Sequence, residues 1–265
     1  MSGMDTALLA QIEPVLRDPP ANAARAADAI AAHPDVDIAV FPELFLSAYD
    51  LRALDETARP ADCDELATVA AAAARAGTAV VIGFAERSPD GTYANAAACI
   101  DRDGTLAAVY RKTQLFAGER TVFRPGQELV LARLAGVAVA PLICFDVEFP
   151  EPVRALARAG AELLVTSSAN MAPYGAEHEI ATRARALENR LPHLYANATG
   201  TVRRLEFVGL SRSVAADGTV LAQAGAGEEL LVAPVGGRGG VDESVDYLGQ
   251  LPGPLPVVQP GTIAG

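Results

Sequence analysis

A layered α/β fold with mixed sheets is what this sequence predicts, and three observations predict it. Short apolar runs alternate with alanine-rich amphipathic segments through the first third of the chain. Three Asp-Gly-Thr tripeptides, at Asp90–Thr92, Asp103–Thr105 and Asp217–Thr219, lie between strand-like segments. Asp-Gly between apolar runs signals a hairpin, because both residues tolerate positive φ, so some strands must be antiparallel. The third observation is the stretch Val137–Arg154, where a buried-strand run ends at Cys144 and Pro150 and Pro152 bracket a helix start at Glu151.

In chain order, Thr6–Gln11 reads as a strand and Asn22–His33 as a helix. Asp37–Phe41 is a short strand followed at once by Pro42 and Glu43; Asp64–Ala76 is a second helix and Thr78–Phe84 a third strand. Tyr93–Ile100 should pair with Leu106–Tyr110 around Asp103-Gly104, and Ser213–Ala216 with Val220–Gln223. Beyond Cys144 come the strand Glu162–Thr166, the helix Glu177–Asn189 and the strand Leu194–Ala198. Gly236–Gly240 lacks the Lys-Ser/Thr ending of a phosphate loop and reads as a surface turn. The tail from Leu251 is rich in Pro and Gly and reads as irregular. One domain over 1–265 is expected, with a core of about 5–235 and a tail over 236–265.

Composition narrows the classes. The chain is 51% hydrophobic but has no apolar run of membrane-spanning length, and its N-terminus lacks a basic stretch before its short apolar patch. Three cysteines, Cys63, Cys99 and Cys144, are an odd number without metal-ligand spacing, which fits a reducing compartment. A net charge of −12 disfavours nucleic acid and anionic membranes as partners. A cytoplasmic globular protein is expected.

Glu43, Lys112 and Cys144 share one signature: each stands at or just past the C-terminal end of an expected strand, the edge where open α/β sheets bind ligands. A thiolate can attack a carbonyl, a carboxylate can take and return the proton, and an ammonium can hold the oxyanion. Taken singly, each has a plainer reading. Glu43 and Lys112 could be surface charges, and Cys144 could be a buried structural thiol.

The surrounding words separate these readings. FPELFLSAYD (Phe41–Asp50), YRKTQLFAGERTVFRPG (Tyr110–Gly126) and LICFDVEFPEPVRALARAGAELLV (Leu142–Val165) resemble the carbon–nitrogen hydrolase, or nitrilase, superfamily, in that family's order. The resemblance runs from about Ala7 to about Ala233. It implies a four-layer α-β-β-α sandwich, a Glu-Lys-Cys triad on Glu43, Lys112 and Cys144, and assembly as a homodimer or higher homo-oligomer. It further implies that Glu119 positions the lysine or the substrate, and that Asn170, Met171 and Tyr174 belong to a pocket-lining loop. Arg185, Glu188 and Asn189 match a helical word read as structural support. No histidine falls in a triad block: His33 ends a helix, His178 lies near a helix start and His193 opens a strand, so none is expected to be the base. The Arg-Arg-Pro ending of many relatives is missing after Tyr247-Leu248.

The activity implied is hydrolysis of a small linear amide to an acid and ammonia through a thioester on Cys144, with the oxyanion held by Lys112 and the Phe145 N–H. Neither a metal nor an organic cofactor is called for, since Lys112 supplies the positive charge. N-carbamoyl amines and nitriles are the neighbouring substrate classes, and a non-catalytic binding protein or a redox-sensing thiol are the readings of another kind. Asp146 or Glu148 could face the pocket and, with Glu119, favour a cationic substrate, although Asp146 reads first as a turn-stabilising residue.

Overall fold

Two six-stranded sheets lie face to face, and the apolar side chains alternating along their strands dictate what covers each side. The computed structural model describes residues 4–237 and 247–250; the end of the glycine-rich segment and the tail from Leu251 lie outside the described residues. The elements are β1 (Thr6–Gln11), α1 (Pro19–Ala31), β2 (Ile38–Val40), α2 (Leu54–Thr57), α3 (Asp64–Ala76), β3 (Ala79–Arg87), β4 (Tyr93–Ile100) and β5 (Leu106–Arg111). There follow β6 (Ala132–Leu134), β7 (Val137–Ile143), α4 (Pro150–Arg158), β8 (Leu163–Ser168), α5 (Gly175–Asn189) and β9 (His193–Asn197). The chain continues through β10 (Thr199–Val202), β11 (Leu205–Val208), β12 (Arg212–Val214), β13 (Val220–Gln223) and β14 (Glu229–Pro234).

The first sheet runs β14-β1-β2-β3-β4-β5 and the second β13-β12-β9-β8-β7-β6. The β1-β2-β3 and β7-β8-β9 centres are parallel, and the flanking strands are antiparallel. Leu9, Val40 and Val81 point inward to meet Val139, Val165 and Leu194 of the other sheet, while Leu8, Ala39 and Val80 point outward beneath Ala26, Ile30 and Val69 of α1 and α3. On the far side Ala140, Leu142 and Leu164 are covered by Val153 and Leu156 of α4. Both faces of the central strands are therefore buried, which is why they read as continuous apolar runs. Each such Leu, Ile or Val contributes roughly 1.5–3 kcal/mol by leaving water, so the layering rests on these stripes. The result is the four-layer α-β-β-α sandwich. No helix among the described residues is long and apolar enough to cross a membrane.

Several boundaries move for local reasons. Helix α1 starts at Pro19 rather than Asn22, because the Asp18 carboxylate accepts from Ala21 N–H at 3.0 Å and two prolines occupy the first turn. His33 lies past its end, with its ring Nδ1 2.8 Å from the Ala29 carbonyl. All three Asp-Gly-Thr turns form, but only their glycines take positive φ, at 79°, 85° and 83°. The aspartates act instead through their side chains, each accepting from the Thr N–H two residues on. The β10–β11 hairpin and β14, which closes the free edge of β1, were not foreseen; β14 is mostly exposed and carries no buried-strand pattern.

Candidate active site

Glu43, Lys112 and Cys144 do converge, each delivered by the end of a strand. Past β2, Phe41 N–H still donates to Val81 O, and the chain then turns inward with Leu44 and Ala48 in the left-handed region. That turn presses on β3 at Gly83, where a Cβ would lie 2.4 Å from Pro42 O and 2.5 Å from Leu44 N. Only glycine leaves the backbone room to seat Glu43 there. Lys112 follows β5 and stays in the ladder, its N–H donating to Asn95 O and its carbonyl accepting from Gly126 N–H. Cys144 opens a 3-10 turn over Cys144–Glu148 at φ +45°, a conformation that non-glycine residues hold only when their surroundings enforce it.

Asp146 is the enforcing group. Its carboxylate is fully buried and accepts from Ile143 N–H (3.0 Å), Gln114 N–H (2.8 Å), Thr113 Oγ1 (3.0 Å) and Tyr110 Oη (2.8 Å). It thus ties the cysteine turn to the segment after Lys112. Asp146→Ala leaves those donors unpaired in the interior, and a loss of about 3 kcal/mol in unfolding free energy is expected by chemical denaturation, with activity falling alongside.

Around the lysine the side chains form a closed set. Lys112 Nζ donates to Glu43 Oε1 at 2.6 Å and to Glu119 Oε1 at 2.9 Å, and all three side chains are shut off from solvent. Asn95 Nδ2 bridges the same two carboxylates at 2.7 and 3.2 Å, and Tyr49 Oη donates to Glu119 Oε1 at 2.8 Å. Glu43 Oε2 is buried without a partner among the described residues. Burial, with Glu119 nearby, pushes the Glu43 carboxyl up to about 7 in spite of Lys112. Burial also works against the Lys112 charge, but Glu43, Cys144 and Glu119 outweigh it and the ammonium is held well above its ordinary range. Burial and the glutamates raise the Cys144 thiol, opposed by Lys112 and a hydrogen bond with Ser168. The resting set is a neutral thiol beside a permanent cation and a carboxylate poised near neutrality.

The other expected residues divide. Phe145 joins an aromatic row in which its ring meets Phe116 at 5.4 Å and Phe149 at 5.0 Å, and Phe116 meets Tyr174 at 5.7 Å. Met171 bridges to Phe207 of β11, and Tyr174 is 41% exposed at the end of the row. The Asn170 side chain is turned to its own loop, accepting from Met171 N–H and donating to Tyr174 O. Of the carboxylates offered for a cationic substrate, Asp146 is consumed by its four donors, Glu148 lies 3.2 Å from His178 Nε2, and Glu119 is held by Lys112 and Tyr49. Asp146 and Glu119 already have their partners, while Glu148 keeps a side chain 30% exposed beside His178. Arg185 does support the turn, donating to the Val147 and Glu148 carbonyls while paired with Glu188. Asn189 Nδ2 donates to Arg185 O, one turn back in α5. Asn95 and Tyr49 were missed: one lies inside a strand run, the other in a loop, and only the fold brings them together. A cavity of about 120 Å³ opens beside Glu43 and Tyr49, walled by Pro42, Ala198, Val202 and Phe207. A larger groove of about 630 Å³ over Cys63, Leu66 and Ala70 contains none of the residues of this set.

Comparison with known proteins points the same way. A hydrolase encoded in the pqqF 5′ region of Pseudomonas protegens is 41% identical over 202 residues, covering 75% of this chain and 71% of that protein. An (R)-stereoselective amidase of a Pseudomonas species is 40% identical over 196 residues, covering 73% and 71%. The NitN amidase from Nesterenkonia sp. AN1 superposes with a TM-score of 0.83 at 28% identity, covering 93% of this chain and 96% of that one. A mutant of that amidase carries the acetamide moiety of fluoroacetamide added covalently at its active-site cysteine, again with a TM-score of 0.83 at 28% identity and 95% coverage of each chain. The carbon-nitrogen hydrolase family profile matches residues 6–236. With fold, strand-end residues and profile in agreement, this chain belongs to the carbon–nitrogen hydrolase family.

Proposed function

We propose that this protein hydrolyses a small linear amide to a carboxylic acid and ammonia through a thioester on Cys144. The observation that carries the reading is the unpartnered, buried Oε2 of Glu43, whose other oxygen is bonded to Lys112 and whose charge is felt by Cys144. A raised thiol needs a base at the moment of attack, and that oxygen is the free one. Cys144 Sγ attacks the carbonyl carbon as its proton passes to Glu43. Lys112, bonded to both glutamates, supplies the positive charge that holds the oxyanion with the Phe145 N–H. The intermediate collapses, Glu43 returns the proton to the leaving ammonia, and the thioester remains. Water, deprotonated by Glu43, releases the acid and regenerates the thiol. Glu119, Asn95 and Tyr49 hold the lysine and the base in register.

An amide as substrate is supported by the amidases among its relatives. The structural neighbours include an amidase mutant in complex with butyramide, which makes short aliphatic amides the first substrates to try. The test is intact-mass spectrometry and ammonia release after brief mixing with short amides, N-carbamoyl amines and nitriles. An added acyl mass with ammonia from the amides is the expected result. Turnover confined to carbamoyl compounds or nitriles would move the substrate class, and no adduct with any of them would overturn the reading.

A further inference from the structure

The reaction leaves two buried histidines without a task. His193 is closed into the interior, with Nε2 2.8 Å from Thr166 Oγ1 and Nδ1 3.1 Å from Thr182 O. His178 is different. Its Nδ1 lies 2.8 Å from Tyr195 Oη, which lies 3.0 Å from Ser168 Oγ. Its Nε2 lies 3.2 Å from Glu148 Oε1, whose side chain is 30% exposed. Ile143 and Ser167 are partners in the β7–β8 ladder, so Cys144 and Ser168 stand side by side one residue further on, and the Ser168 hydroxyl is an electrostatic neighbour of the thiol. A chain of polar neighbours therefore runs from the sulfur to Ser168, through hydrogen bonds to Tyr195 and His178, and on to a part-exposed carboxylate.

Counting protons gives this path two directions. Ser168 and Tyr195 have one hydroxyl proton each. A carboxylate only accepts, so a neutral His178 keeps its proton on Nε2 for Glu148 and accepts at Nδ1 from Tyr195. Tyr195 then accepts from Ser168, and Ser168 Oγ accepts from Asn170 N–H (3.2 Å) and turns a lone pair to the sulfur. No hydroxyl proton faces the sulfur. When His178 gains a second proton, both ring nitrogens donate. Tyr195 must then turn its hydroxyl to Ser168, and Ser168 its own to the sulfur.

We propose that Ser168, Tyr195 and His178 form a reversible relay behind Cys144, in which a proton taken up at His178 turns each hydroxyl toward the sulfur and stabilises the thiolate. The balance is simple. One N–H bond forms on the imidazole with a proton from hydronium, neither the Ser168 nor the Tyr195 O–H bond breaks, and the S–H proton goes to Glu43 where that carboxyl is ionised and to solvent where it is not. Ser168, Tyr195 and His178 are positioning residues, and the proposal rests on Cys144 being the nucleophile. The charges facing His178 are Glu148, which favours the imidazolium, and Lys112 and Arg212, which oppose it; Arg212 lies over the Tyr195 ring at 5.4 Å. Burial also opposes it, so the ring rests neutral near neutrality and the relay turns inward as the solution is acidified.

The test is the alkylation rate of Cys144 by iodoacetamide, followed by peptide mass mapping to separate it from Cys63 and Cys99. It is read from about pH 5 to about pH 8, where imidazole changes charge. Wild type should react about tenfold faster than Tyr195→Phe and His178→Gln at the acid end, the gap closing as pH rises. The double variant should be no slower than either single one, since both break one path. Equal rates, a gap that holds at every pH, or additive losses overturn the relay. If Tyr195→Phe lowers the melting temperature enough to cloud the comparison, Ser168→Ala takes its place with the same expected pattern. Alkylation needs no amide, so failure here is distinct from failure of the hydrolytic reading.

Discussion

Cys144→Ala should lower the turnover number on any accepted amide by at least about four orders of magnitude and remove the acyl adduct, while the melting curve stays close to wild type. The size of the effect reflects what is lost. Without the sulfur no covalent intermediate can form, and Glu43 and Lys112 are left arranged around a site with nothing to deprotonate. Stability should survive, because the change removes a single sulfur atom and leaves the Asp146 bonds that hold the turn. The other two thiols cannot stand in. Cys99 is pushed up to about 12 by burial with no cation to oppose it, and Cys63 is raised by burial in the cluster between the first sheet and the α1–α3 layer, beside Glu65. A binding protein would keep its partner through this substitution and would show no ammonia to lose. Residual turnover within about a hundredfold of wild type, measured as ammonia release, would therefore show that the thiol is not the nucleophile.

The strand ends were readable because their strands are buried on both faces. Val137–Ile143 and Ile38–Val40 announce themselves as apolar runs, and the residues just past each run must emerge at one edge of a sheet. The family words then named Glu43, Lys112 and Cys144, and the structure sets Lys112 within 2.6 Å of Glu43 although 69 positions separate them. What was not readable depends on partners that sequence spacing cannot reveal. Asn95 is one polar residue in an alanine-rich strand, and nothing nearby says that its amide spans two carboxylates. Asp146 and Glu148 alternate after the cysteine, yet the 3-10 turn sends one into the interior and the other toward His178. The relay also escapes a linear reading, because Ser168, His178 and Tyr195 come from β8, α5 and β9 and meet only when β8 and β9 pair.

Glu43→Gln should be the second large effect, and its pH dependence identifies the cause. The amide keeps the shape and can still accept from Lys112, but it cannot take the thiol proton, so a loss of about 10²–10⁴-fold in kcat/KM is expected. In wild type kcat/KM should rise with pH through about 7, as the Glu43 carboxyl loses its proton and becomes a base. That limb should vanish in the variant, leaving a low rate without the inflection. The same shift has an opposite sign for stability. A carboxyl raised from its ordinary 4.5 to about 7 binds its proton more tightly in the folded state, so its contribution is full below 4.5 and is lost as pH rises through about 7. Glu43→Gln removes that dependence, and its melting temperature should gain on wild type between about pH 5 and about pH 8 while its activity stays low across the range. Activity and stability would then move apart at one residue, as expected for a buried carboxylate kept for proton transfer at a cost to the fold. If the kcat/KM limb persists unchanged in Glu43→Gln, the proton goes elsewhere, and Glu119 becomes the carboxylate to examine.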